Sequence, residues 1–118
     1  MTYPVIKYSE TYYKNIDANT EDLSPGVTPA NGEQLCIYRL ILNGADPSAY
    51  VAIIWDRGGN AEKVFISSRG DVDLTFDSSC HDLHFTGDGS KKLQIVIIND
   101  NDSATPIIGG RFEVVGVD

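Results

Sequence analysis

The histidines of the chain, His81 and His84, stand with a thiol and an acid in the run Cys80-His81-Asp82-Leu83-His84. On an extended strand alternate side chains share a face, which would turn Cys80, Asp82 and His84 one way and His81, Leu83 and Phe85 the other. Thiolate, carboxylate and imidazole so arranged suit zinc or copper. A structural zinc site takes four ligands, though, and Cys36 is the one remote candidate for the last. The run is read in preference as a strand edge with an ordinary solvated polar face, and neither a metal nor any other cofactor is assigned.

Three other groups of residues have chemistry to offer. Asn99-Asp100-Asn101-Asp102-Ser103 is a dense series of oxygen ligands, but Ala104 falls where an EF-hand loop needs a ligand, and the glycine is missing. It reads as a polar turn in which Asn and Asp cap their own backbone, with a calcium site built from a second segment as the alternative. Trp55 beside Asp56 is the candidate ligand-facing aromatic, because an indole face stacks on a sugar ring while a carboxylate orients its hydroxyls. At the end of Tyr50-Val51-Ala52-Ile53-Ile54-Trp55 a tryptophan is more often core packing. Arg69-Gly70-Asp71 spells an adhesion tripeptide and is also good turn chemistry. The chain has no Gly-x-Ser-x-Gly elbow and no phosphate-cradling loop opening a helix, so it is read as non-enzymatic.

The elements that would position these residues are short strands. From Glu33 onward, runs rich in Val, Ile, Tyr and Phe recur at spacings of roughly 8 to 12 residues, the rhythm of a sandwich or barrel. They cover Gln34 to Leu42, Tyr50 to Asp56, Lys63 to Ser67, Val72 to Phe76, His81 to Thr86, Lys91 to Asn99 and Phe112 to Val117. Asn43-Gly44, Arg57-Gly58-Gly59-Asn60, Gly87-Asp88-Gly89 and Gly109-Gly110 punctuate them. The expected fold is all-β: one antiparallel sandwich or jelly-roll-like barrel of about seven to eight strands, with no helix of consequence. Leu93, Ile95 and Ile97 make one apolar face of a strand whose other face carries Val96 and Ile98, a candidate contact surface.

Residues 1–32 differ from the body at 33–118. Tyr3 to Ile16 holds Ile6, Tyr8, Tyr12 and Tyr13, and a polar stretch with Pro25, Gly26, Pro29 and Gly32 follows. It reads either as a first strand with a long surface loop, or as an extended arm that crosses to a neighbouring subunit. On the second reading Ile6, Tyr8, Tyr12, Tyr13, Val96 and Ile98 form the oligomer contact, and deleting Met1 to Ile16 is expected to abolish assembly while leaving a folded domain.

Charge and hydropathy narrow the partners. Acidic residues outnumber basic ones 17 to 9, a net charge of −8 that repels phosphate backbones and argues against nucleic acid. No apolar run is long enough to span a bilayer, and the first residues do not have the pattern of a secretory signal, so a chain made and kept in a cytoplasm is expected. In that compartment Cys36 and Cys80 are expected as buried thiols more than as a disulfide.

From Thr86 the chain runs Thr-Gly-Asp-Gly-Ser-Lys-Lys-Leu-Gln-Ile-Val-Ile-Ile-Asn, with Gly109-Gly110-Arg111-Phe112 after it. This stretch resembles small virion proteins of tailed bacteriophages, in which a Gly-Asp-Gly turn enters an alternating strand and a glycine-started last strand follows. The resemblance covers about the last 33 residues. It implies a β-sandwich accessory protein of the particle, a head cement or decoration protein that binds the major capsid protein or another virion protein. Copies of itself, a homotrimer by capsid symmetry, are the other expected partner. The competing class is a carbohydrate-binding or calcium-stabilised adhesion module, such as a tail fibre component, and an exposed Trp55 would mark it.

Overall fold

A computed structural model describes residues 5–45, 49–76 and 81–117. Its strands are β1 (Ile6–Lys14), β2 (Thr20–Leu23), β3 (Gln34–Asn43), β4 (Ala49–Trp55), β5 (Lys63–Ser68), β6 (Asp71–Thr75), β7 (His84–Thr86), β8 (Leu93–Asn99) and β9 (Ile108–Gly116). They form two antiparallel sheets, one ordered β1-β9-β3-β6 with β7 beside β3, the other β2-β8-β4-β5. The all-β sandwich expected from the alternating runs is the fold, with nine strands where about seven to eight were counted. The one helical turn described is a 3-10 turn at His81–Leu83, so the strand alternation assumed through Asp82 fails there: a tight turn rotates side chains by about a third of a circle. Cys80 itself, and with it any pairing to Cys36, lies outside the described residues.

The core is the interleaved inner faces of both sheets. Leu35, Ile37, Leu40 and Leu42 of β3 and Ile108, Phe112 and Val114 of β9 meet Val51, Ile53 and Trp55 of β4 and Leu93, Ile95 and Ile97 of β8. Trp55 is 5% exposed, its ring tilted against Phe85 at 4.8 Å, and Phe65 completes the aromatic cluster at 5.6 Å from Phe85. No ring face of Trp55 is open to a sugar: it falls on the inner row with Val51 and Ile53, at alternate positions of one strand.

β8 is covered on both sides, as its composition suggests. Outer-face Val96 sits between Leu23 of β2 and Ala52 of β4, and with Ala52 and Ile54 forms a second small cluster against which Ile98 packs. Arg57, just past β4, reaches Glu21 on β2 across the intervening β8 and borders the same shallow depression as Tyr50 and Ile98. Val96 is fully buried within a single copy.

From Ile6 to Lys14 the N-terminal segment is a sheet strand of this chain and not a free arm. β1 runs antiparallel to β9 from Ile6 opposite Val115 to Lys14 opposite Ile108. Tyr8 and Tyr12 pack against the core. The stretch after it does not wander either: β2 pairs with β8, Ser24 N–H donates to Ile95 O at 2.9 Å, and Val27 bridges Leu93. Its strand character is hidden in the sequence because Pro25, Gly26 and Pro29 break the run and its side chains are polar, as suits a sheet edge. Gly26 has a φ of 84° and lies so close to β8 that an added Cβ would come within 2.7 Å of Gln94 Cγ, which excludes other residues twice over. Gly109 is likewise no turn marker. It lies inside β9, between β1 and β3, where the Tyr12 carbonyl occupies the space a Cβ would need.

Candidate assembly surface

The two faces of β1 do different jobs. Tyr8, Glu10 and Tyr12, at alternate positions, turn inward and meet the segment from Asp22 to Glu33. Tyr8 Oη donates to Glu33 Oε1 at 2.5 Å. Glu10 accepts from the Ser24 hydroxyl and, at 2.8 Å, from the Gly26 N–H. Tyr12 Oη donates to Asp22 Oδ2 at 3.0 Å, and Lys14 Nζ holds the same carboxylate at 2.8 Å. Ser24 is the junction: 1% exposed, its hydroxyl also accepts the Ile95 N–H at 2.8 Å, tying the clasp to β8. One side of the sandwich is thereby sealed by side chains of a single copy.

The clasp shifts its own acid–base chemistry. The Tyr8 phenol donating to Glu33 holds that carboxyl below its usual range, and the same bond, with burial, raises Tyr8. Lys14 and then Tyr12 hold Asp22 low, while burial and the Asp22 contact raise Tyr12.

The outer face of β1 carries Ser9, Thr11 and Tyr13, all exposed. It continues into a lattice of polar pairs: Tyr13 Oη to Asn43 at 2.7 Å, Arg111 to Thr11 at 2.8 Å and to Glu113 at 2.9 Å, and Arg39 to Asp73 at 3.1 and 2.9 Å. Among the described residues β1 pairs only with β9, so its other backbone edge faces outward along nine residues. Ile6 and Tyr13, 38% and 41% exposed, mark its ends.

Of the residues expected to make an oligomer contact, Ile6 and Tyr13 are therefore at the surface, Tyr8 and Tyr12 are half-buried and engaged within the chain, Ile98 is half-buried and Val96 is enclosed. The remaining polar motifs are also occupied. Asn99, 2% exposed, donates to the carbonyls of Asp17 at 3.0 Å and Ser103 at 2.8 Å, and its own carbonyl caps Asn101 N–H. That is the self-capped turn. Arg69 of the Arg-Gly-Asp turn pairs with Asp100 at 2.9 Å and lies over the Tyr50 ring at 4.9 Å. The His81 and His84 rings meet edge to face at 4.9 Å, and among the described residues no three His, Cys, Asp or Glu side chains gather as a metal site. Glu10, Asp22, Ser24 and Glu33 were missed as a group. The period-two alternation of Tyr8, Glu10 and Tyr12 was visible, but their partners lie 10 to 25 residues away across a segment with no readable pattern.

No protein-family model matches the chain, and no curated protein matches it. Among solved structures, a mitogen derived from Yersinia pseudotuberculosis matches with a TM-score of 0.42 at 15% identity, covering 98% of this chain and 89% of that one.

Proposed function

We propose that the chain is a non-catalytic structural protein of a bacteriophage particle, a head cement or decoration protein that binds the capsid surface and stabilises it as an oligomer. The observation that carries this reading is β1: a long edge strand, fixed from behind by the Tyr8, Glu10 and Tyr12 clasp, with its outward backbone edge open. An open, pre-organised edge favours assembly, because a partner strand gains main-chain hydrogen bonds without first paying to order the acceptor. The resemblance of the Thr86–Asn99 stretch and of Gly109-Gly110-Arg111-Phe112 to phage virion proteins supplies the setting. The acidic surface suits a protein partner over nucleic acid.

The test is co-sedimentation of the purified chain with virions assembled from the genome that encodes it, the resident copies having been stripped or deleted. Saturable binding at a fixed number of copies per particle, together with a raised temperature of capsid disruption, is the expected result. A chain that stays in the supernatant at every concentration overturns the reading.

A further inference from the structure

Among the described residues the sandwich has five strands with an unpaired edge, and four of them are guarded. β2 is four residues long, carries Glu21 and Asp22 and runs into Pro25. β5 is distorted by a register shift against Ile53 and Ile54. β6 is five residues long and turns Asp71 and Asp73 to the outer face, so a second copy of itself would set like charges together. β7 has three residues. Short length, bulges and charge are the devices by which sheets block edge pairing. β1 is the longest of the five, its register shift falls between Ile6 and Tyr8, and its two charges over Tyr8–Lys14 are already engaged within the chain, Glu10 by Ser24 and Gly26 and Lys14 by Asp22, which leaves the uncharged Ser9, Thr11 and Tyr13 as the outer row.

From this difference between the edges we infer that β1 pairs antiparallel with β1 of a second copy of this chain, centred on Thr11. The inference rests on the assembly reading above and names the partner of that edge. Residues directly opposite across a two-fold axis perpendicular to the sheet must lie on the same face, which restricts the register to those that keep inward and outward rows in line. Centring on Thr11 sets Thr11 against Thr11, Ser9 against Tyr13, Glu10 against Tyr12 and Tyr8 against Lys14, with no like charges opposed. Centring on Glu10 would set two carboxylates together instead. Cross-strand Thr–Thr contacts are favourable, and the polar pairs behind the strand hold it straight for its partner. Both copies of the five-stranded sheet then merge into one, and both edges are closed. The symmetry is two-fold, in place of the three-fold arrangement that capsid symmetry suggests.

Light scattering after gel filtration, over a concentration series, reads the mass. The wild-type chain should reach twice the monomer mass at high concentration. Thr11→Lys, which sets two ammonium groups across the axis, should weaken the dimer by about tenfold or more, whereas Leu74→Lys on the β6 edge should not. Mild oxidation of Thr11→Cys in a Cys80→Ser background should give a covalent dimer that the Cys80→Ser parent does not form. A wild-type chain that stays monomeric at every concentration, or a dimer indifferent to Thr11→Lys, overturns the inference. Virion binding by a strictly monomeric chain would remove the dimer and leave the particle reading standing; a dimer that ignores virions would do the reverse.

Discussion

Single residues here act through the company they keep. Trp55 looks like a ligand-binding aromatic when read with Asp56, and like a core residue when read with Val51 and Ile53; the inner-row reading is the one its 5% exposure supports. Trp55→Ala should therefore cost about 3–5 kcal/mol in a urea unfolding series, the range for emptying a large aromatic site. Gly26→Ala should lower stability by more than about 1 kcal/mol, since the positive φ and the approach to Gln94 both oppose a side chain. Asp22 and Glu33 give a pH signature. Both carboxyls are held low in the folded chain, so the unfolded chain binds more protons as the medium becomes acidic. The clasp's contribution is complete above the ordinary carboxylate range and is lost as pH falls through the depressed values. Unfolding midpoints should hold steady from about pH 7 to pH 5 and drop below about pH 4. Glu33→Gln should flatten part of that drop.

At the scale of the element, β1 is where sequence and structure diverge most usefully. Strands β3, β4, β8 and β9 were legible because their buried rows leave a continuous or alternating apolar pattern, as in Leu93, Ile95 and Ile97. β2 was not, because a four-residue edge, Thr-Glu-Asp-Leu, that runs into Pro25 has no such pattern. β9 begins four residues earlier than Phe112 because Gly109 and Gly110 are strand residues chosen for close backbone approach, and a glycine pair read alone signals a turn. β1 was seen as a strand, but its destination was open, since nothing in a sequence says whether an edge strand pairs within its chain or beyond it. Its eight paired positions on β9 and the burial of Ile16 revise the expected outcome of deletion. Removing residues 1–16 should expose Phe112 and Val114 and leave a chain without a cooperative unfolding transition by circular dichroism, instead of a folded domain that has lost only assembly.

For the whole molecule, the filled core, the polar lattice over one sheet and the enclosed second face of β8 leave the β1 edge as the feature most suited to a partner. A strand clasped on its inner face and open along one side makes a prediction for alternate residues. Amide hydrogen exchange across β1, followed by NMR over a range of protein concentrations, reads it directly. The N–H groups that bond to β9 should exchange slowly at every concentration. Those that point outward should exchange fast in dilute solution and become protected as concentration rises. Uniformly fast exchange along β1 would contradict its place in the sandwich, and outward amides that stay fast at all concentrations would contradict its use as an assembly edge.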